Sequence, residues 1–198
     1  MKRLFLALLA VSIVSFALFL LFMRDSYLYD GALHLGMLSF ALYFLWQKDL
    51  PTTLKAMGFP GSLKSNVLYT VGGLLAVFML VFLLSVAAML FGFNDQAKVT
   101  QKIADLPLYV LAMAVIFAPI SEELLFRALL VPRIGIVFSS LVFGGLHLAY
   151  GSVVEVVGVA MVGLVLALVF RFSKSITPCI LIHLIYNFLS IAAMRLFA

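Results

Sequence analysis

Residues 107–131 read PLYVLAMAVIFAPISEELLFRALLV. The stretch is almost continuously apolar and longer than the roughly 20 residues that carry a helix across a hydrocarbon core. Yet Glu122, Glu123 and Arg127 stand inside it. A charge at the bilayer centre costs about 2.5–3.5 kcal/mol on insertion scales, so charges kept within a span mark a candidate for function before anything else.

Outward from this stretch the chain keeps the same character. Of its 198 residues 66% are apolar and 11% charged, against about 45–50% and 25% in an average soluble chain, which excludes a soluble globular domain. Apolar segments at about 4–23, 31–47, 67–92, 107–131, 136–150, 153–172 and 176–197 predict an all-α polytopic integral membrane protein with about seven transmembrane helices, the fifth being short. Seven spans use about 140 positions, so residues 1–198 are expected to form a single transmembrane domain. The first segment, Leu4 to Met23, is longer than the apolar core of a cleaved leader and has no small-residue cleavage site before Arg24, so it reads as a retained span. No repeat or low-complexity segment appears.

The formal charge of +5 is spread over loops and termini and makes no stripe for nucleic acid. It is better read as orientation. With a cytoplasmic N-terminus, Lys2, Arg3, Lys48, Lys55, Lys64, Arg133, Arg171 and Lys174 lie inside, against Arg24, Lys98, Lys102 and Arg195 outside. That excess predicts a multi-pass protein of the cell membrane with its N-terminus inside. The single cysteine, Cys179, excludes an intramolecular disulfide and a Cys-rich metal motif.

Three spans carry the ionisable groups. The fourth holds Glu122, Glu123 and Arg127, the fifth Phe143-Gly-Gly-Leu-His147, and the seventh His183-Leu-Ile-Tyr-Asn187. On a helix Glu123 and Arg127 share a face, whereas Glu122 points about 100° away from Glu123. Arg127 can hold Glu123 ionised, while a like charge beside it and loss of water both favour proton uptake at Glu122, the better proton acceptor of the two. Pro119 removes one helical hydrogen bond and is expected to leave the Ile-Ser-Glu turn at 120–122 partly open to water or substrate. His183 and Asn187 project from one face and can donate together to one developing oxyanion. Counted from the inner ends of their spans at 1.5 Å per residue, Glu122, His147 and His183 fall in one layer roughly 10–16 Å deep. His34 lies outside these groupings and reads as structural, as do the aromatics Tyr27, Tyr29, Trp46 and Tyr150 near span ends.

Glu-Glu-x-x-x-Arg at 122–127, Phe-x-x-x-His at 143–147 and His-x-x-x-Asn at 183–187, in that order across three spans, resemble the CPBP family. Its members are also called ABI or type II CAAX prenyl proteases and are described as glutamic intramembrane endopeptidases. The resemblance covers about residues 107–190 and includes the pair Pro132-Arg133. It implies a helical bundle with a cavity open to membrane and cytosol, and hydrolysis of a membrane-associated peptide or protein, prenylated CAAX substrates among them. By matched position Glu122 is then the general base. His147 helps hold the attacking water, His183 and Asn187 stabilise the oxyanion, and Glu123 and Arg127 support the site. No cofactor or metal is required in that scheme.

Other chemistries share these residues. Two carboxylates and two histidines can ligate a divalent metal, which makes a metal-dependent membrane protease the nearest alternative, although no His-Glu-x-x-His is present. Cys179 and His183, four apart, have the spacing of a thiolate–imidazole pair, but a lone cysteine in an apolar helix usually packs as a small hydrophobe. A transporter uses intramembrane Glu, Arg and His as a proton path. A non-catalytic scaffold uses them only to fix packing.

Overall fold

The computed structural model describes residues 28–93 and 95–197, with nothing said of the side chains of Leu28 and Phe197. The first span expected at 4–23, and with it Lys2, Arg3, Arg24 and Tyr27, lies outside the described residues.

Among the described residues the fold is all helical, without strands. Helix α1 spans Leu28–Leu45, α2 Leu50–Ala56, α3 Leu63–Leu90 and α4 Ala97–Ala104. A long helical run follows. It comprises α5 (Leu108–Ala112), a π turn over Met113–Phe117, α6 (Ala118–Glu123), a second π turn over Leu124–Leu130, α7 (Val131–Gly145) and a 3₁₀ turn over Leu146–Tyr150. Helices α8 (Val153–Ser173) and α9 (Thr177–Phe197) complete the bundle.

Four of these helical stretches are long and apolar enough to cross a membrane: 63–90, 108–150, 153–173 and 177–196. The 43-residue stretch is not straight. Gly135 takes φ 81°, a conformation that side-chain-bearing residues avoid, and the chain turns back there. Phe126 and Phe143, seventeen positions apart, therefore meet with ring centroids 4.9 Å apart. The apolar segments expected at 107–131 and 136–150 are the two legs of this hairpin.

Small residues set how closely the second leg packs. A Cβ on Gly144 would lie 2.7 Å from Ala160 Cβ and 2.8 Å from the Val156 carbonyl, so α7 and α8 nearly touch backbone to backbone. Interfaces of this kind take the place of a hydrophobic driving force, which is weak between helices already in lipid. The core is then filled by Ala41 of α1, Val77 of α3, Leu124 of the second π turn, Leu166 of α8, and Cys179 and Ile182 of α9.

The third loop, expected from the sequence as plain connection between 93 and 106, contains α4. Val99 and Ile103, four apart, are buried on one face, and Lys98 and Lys102 share another. Eight residues are too short to form a helix in isolation; α4 owes its order to docking. Lys98 Nζ donates to the Gly151 carbonyl at 3.1 Å and Lys102 Nζ to the Ala149 carbonyl at 2.6 Å, both at the end of the 3₁₀ turn. Just before α4, Asp95 accepts from Ser152 Oγ and from the Val153 N–H, at the start of α8. Loss of water around its carboxyl is outweighed by these bonds and by the Val154 N–H and Lys98, which hold it below the ordinary value.

Candidate active site

The site begins with a backbone irregularity. In an α-helix the Ala114 carbonyl would accept from the Ala118 N–H, but the first π turn directs that N–H to Met113 instead. The residue after Ala118 is Pro119, which has no N–H to offer. The Ala114 carbonyl is thus left without a helical partner, and a buried carbonyl needs one. Asn187 Nδ2 on α9 supplies it at 3.0 Å. Proline and asparagine, 68 positions apart in sequence, are two halves of one local solution.

From Ala118 the helix resumes for one and a half turns and presents three buried polar residues in succession, Ser121, Glu122 and Glu123. Of the Ile-Ser-Glu turn, Ser121 is fully buried, its Oγ donating to the Ala118 carbonyl at 2.9 Å, while Glu122 reaches the cavity.

The two glutamates part company as the helical geometry requires. Glu123 is fully buried, with Oε2 3.0 Å from Arg127 Nε and Oε1 2.9 Å from His183 Nδ1. Arg127, also fully buried, lays its guanidinium over Phe143 at 4.7 Å from the ring centroid and over Phe126 at 5.9 Å. Its Nη1 and Nη2 have no hydrogen-bond acceptor among the described residues. The aromatic faces contribute cation–π attraction in place of such bonds. Glu122 faces a cavity of about 190 Å³. Its nearest ionisable neighbours are His183 Nε2, 3.6 Å from Oε2, and His34 Nδ1, 3.8 Å from Oε1, both beyond hydrogen-bond reach.

Donor accounting fixes the imidazoles. A carbonyl only accepts, so His147 donates Nδ1–H to the Phe143 carbonyl at 3.1 Å, which leaves Nε2 of the neutral ring as an acceptor. His147 stacks on Tyr150 with ring centroids 5.8 Å apart. His183 donates Nδ1–H to Glu123 and turns Nε2 toward Glu122. Cys179 is fully buried and points its thiol at the Leu166 carbonyl, 3.4 Å away, rather than at His183.

The structure therefore gathers Glu122, His147, His183 and Asn187 around one cavity and sets Glu123 and Arg127 behind it. Among the described residues no group of three or more His, Cys, Asp or Glu is arranged to hold a metal ion. Two residues at the same cavity, His34 and Tyr150, were read from the sequence as structural. His34 offered one clue: it is an ionisable group within an apolar helix, on the stripe that continues through Met37, Ala41 and Leu45, all buried.

Residues 104–189 match the family model described as type II CAAX prenyl endopeptidase Rce1-like. Less than half of the chain is covered by the match. All three motifs lie within it, at 122–127, 143–147 and 183–187, and so do both legs of the hairpin. No curated protein and no solved structure matches the chain. The matched family is one of CAAX-protease-type intramembrane endopeptidases that act on membrane-associated substrates, and the long apolar helices agree with a membrane protein. Helices α1 to α3 fall outside the matched Rce1-like stretch, and His34 comes from one of them.

Proposed function

We propose that the protein hydrolyses a peptide bond of a membrane-associated substrate, with prenylated C-a-a-X proteins as the substrate class, by a glutamate-activated water. The observation that carries this is the division between the carboxylates. Glu123 is compensated by Arg127 and His183, while Glu122 faces the cavity with its imidazole neighbours at 3.6 and 3.8 Å. A base that must take a proton needs that freedom.

In the proposed cycle Glu122 accepts a proton from water as the water oxygen bonds to the scissile carbonyl carbon. Nε2 of His147, left as an acceptor, holds the second water proton. The oxyanion receives a hydrogen bond from His183, whose Nε2 in the protonated ring is a donor aimed into the cavity. Asn187 adds another: one amide proton serves Ala114 and the second is unspent. The carbon–nitrogen bond then breaks, its electron pair stays on nitrogen, and Glu122 returns the proton to the leaving amine. Glu123 and Arg127 hold His183 in register. The distribution of basic residues further supports one transmembrane domain in the cell membrane, with a cytoplasmic N-terminus.

The test is cleavage of a farnesylated C-a-a-X peptide by the detergent-purified chain, wild type against Glu122→Gln, each with and without a strong chelator. Cleavage that is lost in Glu122→Gln and indifferent to chelator is the expected outcome. Loss with chelator in the wild type makes the Glu and His cluster a metal site instead. Equal cleavage by both proteins removes Glu122 from the role of base.

A further inference from the structure

The chain has three histidines, and all three line the same cavity. Two belong to the motifs; the third, His34, comes from α1, outside the family-matched stretch. We propose that His34 is a positioning residue of this centre, fixing the turn that carries Glu122 by donating Nδ1–H to Ser121 Oγ and walling off the Oε1 side of the Glu122 carboxylate. The proposal rests on the reading of Glu122 as the base.

Hydrogen-bond accounting determines the direction of the contact. Ser121 has one hydroxyl proton, and it goes to the Ala118 carbonyl at 2.9 Å. The same oxygen lies 3.0 Å from His34 Nδ1, so it must accept there and His34 must donate. The chain His34 to Ser121 to Ala118 ties α1 to the first residue after the π turn, one turn before Glu122. The same Nδ1 stands 3.8 Å from Glu122 Oε1, while His183 Nε2 stands 3.6 Å from Oε2. The carboxylate is flanked by an imidazole on each side and open only toward the cavity. Met37 and Ala41, on the same stripe of α1, are buried, so the helix is anchored below His34 without it. A packing role alone would be served by leucine at lower desolvation cost.

The experiment measures kcat and KM on the farnesylated C-a-a-X peptide for the full chain and for His34→Ala, His34→Asn, Ser121→Ala and the His34→Ala/Ser121→Ala double variant, with Glu122→Gln as reference. A small displacement of a reacting group costs about 100-fold. His34→Ala is therefore expected to lower kcat about 100-fold with KM nearly unchanged. His34→Asn, whose Nδ2 replaces the Nδ1 donor, restores most of the rate. The double variant is no slower than the slower single one, because both act through one bond. An unchanged kcat in His34→Ala, equal loss in His34→Ala and His34→Asn with a lowered Tm, or strictly multiplicative losses each overturn the proposal. Should Glu122→Gln cleave like wild type, it is the base reading that fails, whatever His34 does.

A second readout needs no turnover. With three imidazoles in the chain, ¹⁵N spectra of histidine-labelled protein resolve each ring. His34 is expected as the Nδ1–H tautomer, with a signal that moves in both Ser121→Ala and Glu122→Gln. An Nε2–H tautomer, or a signal indifferent to both variants, refutes the role even if the peptide proves not to be a substrate.

Discussion

Helix α3 and the first leg of the hairpin are both apolar and both long enough to span lipid, yet they are built in opposite ways. Over 28 residues α3 runs as a regular α-helix, and a representative lipid-side residue, Leu75, is 67% exposed. The leg from Leu108 to Leu130 departs from α geometry twice, carries Pro119, and buries Ser121, Glu122, Glu123 and Arg127. A regular helix satisfies its own backbone and asks nothing of its neighbours. An irregular one leaves carbonyls to be matched from elsewhere, and the partners it recruits, Asn187 at Ala114 and Ser139 at Phe126, fix its position against α9 and α7. Irregularity here is what holds the ionisable groups in one place.

The largest expected effect separates the two regions at once. Glu122→Gln keeps shape and removes the proposed base, and general-base catalysis contributes about 10²- to 10⁴-fold, so kcat should fall by that order while Tm stays near wild type. Leu75→Ala on the lipid face of α3 should leave kcat within about twofold, as expected for an exposed site away from packing. Steady-state kinetics on the same peptide read both.

Next in size is the ion pair behind the site. Arg127→Ala leaves Glu123 buried with only His183 beside it, and breaking a buried pair costs about 3–5 kcal/mol. Thermal unfolding in detergent should show that loss together with loss of activity. Removing both charges, as Glu123→Gln with Arg127→Met, should recover much of the stability but not the rate. A stable, active Arg127→Ala would show that the two glutamates are not divided as supporter and base.

The sequence made the paired residues legible and the irregular ones not. Helical spacing alone joins Glu123 to Arg127 and turns Glu122 away, and the structure has both, because a four-residue interval is a local property of any helix. The two legs at 107–131 and 136–150 were visible as apolar length broken at Pro132-Arg133, while the turn itself falls at Gly135. His34 was not, since its partner Ser121 lies 87 positions away and no local pattern encodes that meeting. The short helix α4 was hidden for a related reason: its order comes from lysines bonding carbonyls some fifty positions on. The bond from Asn187 to Ala114 was half legible, in that Pro119 foretold a disturbed helix but not who would repair it.

A finer contrast lies within α3 itself. Gly73 faces α9, where an added Cβ would meet Ile182 Cδ1 at 2.3 Å; beside it, Gly72 has nothing within 4 Å. Gly73→Ala forces overpacking, which costs about 1–3 kcal/mol. Gly72→Ala adds a methyl where there is room and gains helix propensity, about 1 kcal/mol in favour. Opposite shifts in Tm from neighbouring glycines would show that one stripe of an otherwise lipid-facing helix carries its docking.

The smallest effect is expected at Cys179. Its spacing to His183 suits a nucleophilic pair, and a cysteine hydrolase would need the thiolate within reach of the imidazole. In the folded chain the two side chains have other obligations. Sγ points to the Leu166 carbonyl at 3.4 Å, and His183 Nδ1 is held by Glu123 at 2.9 Å. Serine at 179 retains a donor for that carbonyl in nearly the same volume, so kcat should stay within about twofold, the change expected of a substitution away from the chemistry. Thiol-directed alkylation of the wild type should be equally without effect, since the residue is fully buried. Loss of activity in Cys179→Ser with an unchanged Tm would mean that the site rearranges on binding substrate. The chemistry would then have to be sought on the α9 side of the cavity rather than at Glu122.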